Sequence, residues 1–151
     1  MPTGSWEPAI GIDLGTTNSA VAAVAGDGKP YIIERRTGQR LLPSVVGFTP
    51  GGDRVVGEAA RILAEEFPEN VAYATKRLMG QRWSPELSAQ MRNVLPFPIV
   101  AGPGEDVRVK IAGRTLPVVQ IAAMILTELR LDAEAYFQRS EEHTSELQSQ
   151  R

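Results

Sequence analysis

The residues best suited to chemistry lie together near the start of the chain, where an apolar strand is predicted to end. They are Asp13, Gly15, Thr16, Thr17 and Asn18. A carboxylate can hold hydrated Mg²⁺, and hydroxyl and turn N–H groups can donate to phosphate oxygens. Gly15 lets the backbone approach a ligand closely, because it has no Cβ. The pattern fits a nucleotide-phosphate cradle, and it fits equally a plain hairpin turn that contains these residues by chance.

A β-hairpin is the element that must position this turn. Ile10, Ile12 and Leu14 alternate with smaller or polar residues, which is the two-residue period of a strand. Ser19–Val24 is small and apolar enough to return as a second strand, and Tyr31–Glu34 is predicted to add a third. The turn therefore lies at the end of a small sheet.

Lys76 is a second candidate for chemistry, and it falls in the stretch Val71–Met79, which is predicted to be helical. Gly80 follows at the C-terminal cap position. Taken alone, Lys76 and Arg77 are interpreted as a solvated helix end, where cations also suit the helix dipole.

Two further helices are predicted from apolar residues at three- and four-residue spacings. The first spans Glu58–Phe67, and the residues it is expected to bury are Ala59, Ile62, Leu63 and Phe67. The longest helix starts at Pro117 and reaches about Phe137. Its wide apolar face, expected to pack on the first sheet, consists of Ile121, Ile125, Leu126, Leu129, Ala133 and Phe137.

Short strands are predicted in the stretch between the hairpin and the longest helix. They are Val45–Phe48, Arg54–Val56, Leu95–Val100, Val107–Ile111 and Arg114–Leu116. Ser84 and Pro85 are predicted to start a short helix, as its N-cap and its first helical residue.

Composition limits the classes of function. The chain has 151 residues, a net charge of −2 and no cysteine, so its size suits one domain with a modest core. The charge offers no basic surface for nucleic acid and no cation block for a membrane. Without cysteine there are no disulfides or thiolate metal sites. Residues 1–8 lack the features of a signal peptide. We therefore expect a cytoplasmic protein with neither nucleic-acid nor membrane partners.

Four blocks of the sequence resemble the Hsp70 (DnaK-type) chaperones, members of the actin, sugar-kinase and Hsp70 ATPase superfamily. They are Ile10–Ser19, Arg40–Val46, Ala74–Gly80 and Leu95–Val100. The superfamily shares only the Asp-x-Gly-Thr core of the first block, whereas the Ile-Gly before it and the Thr-Asn-Ser after it resemble Hsp70 in particular. Leu41 and Leu42 depart from the family, which usually has two threonines there. The resemblance covers residues from about 9 to 138.

The resemblance implies an α/β fold: the first lobe of an actin-like (ribonuclease H-like) ATPase, incomplete, with an inserted small α+β subdomain. Residues 1–43 and 117–138 would form the core subdomain, and residues 44–116 the inserted one. Asp13 would hold Mg²⁺ through water and serve catalysis together with Lys76, which would reach the γ-phosphate. The residues implied to bind phosphate oxygens are Gly15, Thr16, Thr17 and Asn18.

The function that the resemblance implies is ATP hydrolysis coupled to protein folding, with ATP or ADP and Mg²⁺ as cofactors. The implied partners of the full-length protein are unfolded client polypeptides, a J-domain co-chaperone and a nucleotide-exchange factor. In the family a second lobe carries a second phosphate loop and the adenosine pocket, and we do not expect that lobe within these residues. The chain alone is therefore expected to be inactive or nearly so.

The polar segment 139–151 does not resemble the family. It resembles the translation of a sequencing-library adaptor, so we interpret it as non-native and expect it to be disordered. A helix that continues the preceding one is the alternative. His143, the only histidine, lies in this segment. A catalytic or metal-binding role for that side chain is therefore not expected.

Two other interpretations are considered. A sugar or acetate kinase of the same superfamily would share the Asp-x-Gly-Thr turn, but residues 37–48 and 74–80 resemble Hsp70 instead. A small non-catalytic nucleotide-binding module, complete as it stands, is the other interpretation. The foreign-looking segment 139–151 argues against it.

Overall fold

A computed structural model describes residues 8–149 of the chain, with side chains as far as residue 140. Within that range the chain forms ten β-strands in three antiparallel sheets, together with three α-helices. The mixed α/β composition agrees with the fold class predicted from the sequence.

The first sheet carries the predicted hairpin. Its strands are β1 (Ile10–Asp13), β2 (Asn18–Val24), β3 (Pro30–Ile32) and β4 (Leu42–Pro43). β2 is central, because it pairs with each of the other three. The register sets Asp13 opposite Ala20, so the four residues 14–17 connect β1 to β2. The hairpin and the third strand predicted from the two-residue period are confirmed.

The other two sheets have three strands each. The second contains β5 (Val45–Phe48), β6 (Arg54–Val56) and β7 (Val71–Tyr73), with β5 in the middle. The third contains β8 (Ile99–Ala101), β9 (Val107–Ile111) and β10 (Arg114–Pro117), with β9 in the middle. Every second residue of β9 is buried, starting at Val107, as the alternation in the sequence predicts.

The three helices cover these sheets. α1 (Glu58–Glu66) lies against the second sheet, and α2 (Pro85–Met91) begins at Ser84, whose hydroxyl accepts the N–H of Leu87 at 3.0 Å. α3 (Val118–Ser149) contacts strands of all three sheets, so its buried residues join theirs in one core. Across residues 8–149, the helices lack the combination of length and apolar character that crossing a membrane requires.

The helix predicted for Val71–Met79 is wrong. Val71–Tyr73 is strand β7, paired with β5, and Thr75–Leu78 is a single 3₁₀ turn. Ala74 separates them with a left-handed backbone, φ 57°. Pairing with β5 is a contact between distant parts of the chain, and this contact outweighs the weak helical spacing of so short a stretch.

Two other predicted elements differ in detail. α1 buries Ala60 and leaves Ile62 67% exposed, so its inner face is rotated from the predicted one, which contained Ala59 and Ile62. In the apolar run Leu95–Val100, only Ile99 and Val100 are in a paired strand, which ends at Ala101. Prolines interrupt the earlier part of the run, and they have no N–H to donate.

The longest helix continues past its predicted end near Phe137, as far as Ser149. The backbone of residues 139–149 therefore adopts the alternative named for this segment, a continuing helix, and not disorder. This is in keeping with the good helix formers Glu and Gln in the segment. The side chain of His143 lies outside the described residues, as do Met1–Glu7. The division into a core subdomain and an insertion at residues 44–116 stays a prediction.

A buried arginine joins separate parts of the fold. Arg35, 1% exposed, follows β3 and donates through Nε to Asp132 Oδ2 of α3 at 2.7 Å. Its NH1 donates to Glu58 Oε1 at 2.8 Å and to the carbonyl oxygen of Leu41 at 3.0 Å. Arg36 adds hydrogen bonds from its backbone N–H and its Nε to the second oxygen of Asp132. We call Arg35, Arg36, Glu58 and Asp132 the arginine clamp.

The clamp lowers the pKa of Asp132. Burial by itself raises that pKa, but the hydrogen bonds from Arg36 and Arg35 and the charge of Arg35 outweigh burial. A carboxyl whose pKa is lower in the folded chain stabilises the fold above its ordinary pKa of about 3.9. That stabilisation is lost as the pH falls through the lower, folded value.

Replacing Asp132 by asparagine should therefore destabilise the chain in a pH-dependent way. At pH 7 we expect Asp132→Asn to cost about 3–5 kcal/mol, because it leaves a buried guanidinium without its carboxylate. The difference from the unaltered chain should shrink as the pH falls from about 4, where Asp132 of the unfolded chain becomes protonated, through the lower pKa of Asp132 in the folded chain. Urea unfolding at several pH values measures this.

The matched control is Glu134→Gln on the same helix, where the glutamate is 61% exposed. It should cost at most about 1 kcal/mol. Equal losses in the two variants would contradict the role given to the clamp.

Candidate functional site

The turn between β1 and β2 presents the candidate groups to solvent. Asp13 ends β1 as an exposed residue, and Thr17 is exposed at the other side of the turn. Thr16 and Asn18 are partly exposed between and beside them. A carboxylate and two hydroxyls thus lie within five consecutive residues, Asp13–Thr17, at the end of the hairpin.

Gly15 is enclosed by the turn that it begins. A Cβ built on Gly15 would collide with the backbone carbonyl oxygen of Asn18, so the loop closes tightly over this residue. The N–H of Gly15 donates to Ser19 Oγ at 3.2 Å. That N–H, which the sequence assigned to phosphate, is therefore already used within the chain.

Lys76 lies beside the turn, although it comes from the 3₁₀ turn after β7. Gly15, Thr16 and Lys76 line one small cavity, with Ala122 and Ile125 of α3 also lining it. The cavity has a volume of about 10 Å³, close to the smallest that holds one water molecule. The structure therefore brings Lys76 together with the glycine and the first threonine of the turn.

A larger cavity opens on the other side of the two threonines. It has a volume of about 420 Å³ and is lined by Thr16 and Thr17, by Arg61 of α1 and by Tyr73 and Arg77. Two cations and two hydroxyls facing one cavity favour an anionic occupant. Arg61 was not singled out from the sequence, where it is an ordinary charged residue of an amphipathic helix.

The charges of the site are available to a ligand. In the part of the chain that the structure describes, no ion pair joins Asp13 to Lys76 and no cluster of three His, Asp or Glu side chains suits a metal. Mg²⁺ usually binds through one or two carboxylates, several waters and the phosphates of its ligand. Asp13 alone, exposed beside two hydroxyls, fits Mg²⁺ held in that way and does not fit a metal held by protein side chains only.

Ser19 and Ser44 are the polar residues of the site that the sequence did not single out. Both are buried, and their hydroxyl oxygens lie 2.8 Å apart. Ser44 also donates its N–H to the carbonyl oxygen of Thr17 at 2.9 Å. Ser44 lies within a block that resembles a known family, but spacing within a single sequence gives no signal of a contact between residues so far apart.

Comparison with known proteins gives a family and a similar relative. A family model described as Hsp70 protein matches residues 9–144. The chaperone protein dnaK1 of Synechocystis sp. is 42% identical over 127 residues, which are 84% of this chain and 18% of that protein. The chain thus spans less than a fifth of the length of this relative. The family match also runs past residue 138, into the segment predicted to be foreign.

The tight turn gives a direct test at Gly15. Gly15→Ala should cost about 1–3 kcal/mol, because the new methyl group meets backbone rather than a movable side chain. Gly11→Ala is the matched control, since a Cβ at Gly11 meets nothing within 4 Å. That variant should stay within about 0.5 kcal/mol of the unaltered chain. Urea unfolding compares the two, and equal stability would show that the turn is more open than described.

Proposed function

This chain belongs to the Hsp70 family, and we propose on that premise that its first turn and Lys76 bind the phosphates of ATP. The observation that carries the proposal is the small cavity lined jointly by Gly15, Thr16 and Lys76. A glycine turn and a lysine from distant parts of the sequence meet there, and both are suited to polyphosphate.

The residues of the site contribute hydrogen-bond donors and a positive charge to the phosphates. The hydroxyls of Thr16 and Thr17, with the turn N–H groups after Gly15, donate to the β- and γ-phosphate oxygens. Lys76 supplies a positive charge against the γ-phosphate. In phosphoryl transfer such positioning and charge neutralisation is almost all that a protein contributes.

Asp13 serves the metal side of the site. Its carboxylate accepts hydrogen bonds from water bound to Mg²⁺, and Mg²⁺ neutralises phosphate charge when it is bound with the nucleotide. Asp13 thereby fixes the metal–nucleotide complex at the carboxyl end of β1. We include Asp13 and Lys76 as the catalytic residues of this half of the site.

The function of the whole protein follows from the family, whose members are ATPases. We propose that it couples ATP hydrolysis to the folding of client polypeptides in the cytoplasm. A J-domain co-chaperone and a nucleotide-exchange factor are its proposed partners. We further propose that the chain as far as residue 138 forms an actin-like first lobe, with residues 1–43 and 117–138 as its core subdomain and residues 44–116 as an inserted subdomain.

Binding of nucleotide tests the proposed site. We expect the purified chain to bind Mg·ATP weakly, and Lys76→Ala to weaken that binding about tenfold, because the γ-phosphate loses one charge-assisted contact. Lys29→Ala is the control, because Lys29 is an exposed lysine after the far end of β2. Titration followed by amide chemical shifts of residues 13–18 measures both. Equal affinity of the two variants would refute the role of Lys76.

Turnover should be absent from the 151-residue polypeptide alone. Asp13, Thr17 and Lys76 are exposed, and in bulk water the high dielectric weakens each charge contact severalfold compared with an enclosed site. A steady-state phosphate-release assay should therefore give no rate above buffer. Turnover that is well above buffer and lost in Lys76→Ala would show that this half of the site works unaided.

A further inference from the structure

We propose that Ser19 and Ser44 are positioning residues, which shape the phosphate turn through a closed ring of hydrogen bonds that begins and ends at Gly15. The inference rests on the proposed function, because it explains how the proposed phosphate turn keeps its form. Both serines are buried, at 1% and 5% exposure, and Ser44 also lines the two cavities beside the turn. Because their hydroxyls bond to each other and to Gly15, they act on the turn through its backbone.

The ring consists of three hydrogen bonds. The N–H of Gly15 donates to Ser19 Oγ at 3.2 Å, the two serine oxygens lie 2.8 Å apart, and Ser44 Oγ donates to the carbonyl oxygen of Gly15 at 2.8 Å. A serine hydroxyl has one hydrogen. Because Ser44 gives its hydrogen to Gly15, Ser19 must give its own to Ser44. All three bonds therefore run in one direction around the ring.

The ring decides which groups remain for a ligand. It uses both backbone polar groups of Gly15, so this residue contributes its shape and not its N–H to phosphate binding. The N–H groups and hydroxyls of Thr16 and Thr17 are outside the ring. Ser44 also donates its own N–H to the carbonyl oxygen of Thr17 at 2.9 Å. One residue of the β4–β5 connection thus holds both sides of the turn.

Hydrogen bonds in a ring are coupled, which gives the proposal a signature beyond simple destabilisation. Removal of either hydroxyl breaks the ring and leaves a buried polar group without its partner. A second removal then has little left to break. Single and double variants should therefore be non-additive in their effect on ligand binding, as expected for residues of one network.

The experiment compares Ser19→Ala, Ser44→Ala and the double variant for Mg·ATP affinity and for hydrogen exchange of the Gly15 amide. Each single variant should bind about tenfold more weakly, and the double variant should bind no more weakly than the weaker single. Ser19→Ala should also speed exchange at Gly15 about tenfold or more, since its acceptor is gone. Ser44→Thr keeps the hydroxyl and should bind as tightly as the unaltered chain, in contrast to Ser44→Ala. Ser88→Ala on α2 is the control substitution and should leave the affinity unchanged.

The outcomes separate this inference from the proposed function. Unchanged affinity in both single variants, or losses that add in the double variant, would overturn the ring. Exchange of the Val109 amide in β9 verifies that each variant is folded. If the unaltered chain binds no Mg·ATP, the proposed function fails. Exchange at Gly15 in Ser19→Ala then decides the ring alone: a faster rate supports it, and an unchanged rate refutes it.

Discussion

A buried positive charge determines how the parts of this chain lie against one another. Arg35 is almost fully enclosed, and such a group is tolerated only where carboxylates and carbonyls meet it. Its partners are Asp132 in α3, Glu58 at the start of α1 and the carbonyl of Leu41. Satisfying this one guanidinium fixes α3, α1 and the connection that leads into β4.

The candidate site depends on the same arrangement. Past Leu41 the chain forms β4 and reaches Ser44, which holds the turn at Gly15 and Thr17. α3, anchored by Asp132, contributes Ala122 and Ile125 to the lining of the cavity beside Lys76. The groups proposed to bind phosphate are thus exposed, while the contacts that set their positions are buried. Exposure suits an exchangeable ligand, and burial gives the turn its fixed form.

The sequence could predict what is local and could not predict what joins distant residues. The strands β1 and β9 and the cap at Ser84 were predicted from patterns within a few residues, and the structure has these elements where expected. Burial alternates along β9, whereas all four residues of β1 are exposed. Strand β7 was missed because its pairing with β5 is not visible in three residues. The clamp was missed for the same reason, since Arg35 and Asp132 lie 97 residues apart. Resemblance to a family, and not periodicity, suggested the site role of Lys76. That role and those of the turn residues stay predictions.

A metal–nucleotide complex bound at the end of β1 can be located by paramagnetic relaxation. Mn²⁺ substituted for Mg²⁺ broadens the amide signals of nearby residues. With ATP present, we expect broadening at Asp13 and at residues 15–18, with Lys76 affected as well. Amides near Gly28, at the opposite end of β2, should keep their line widths. Uniform broadening, or broadening confined to residues away from the turn, would show that the complex does not bind at the end of β1.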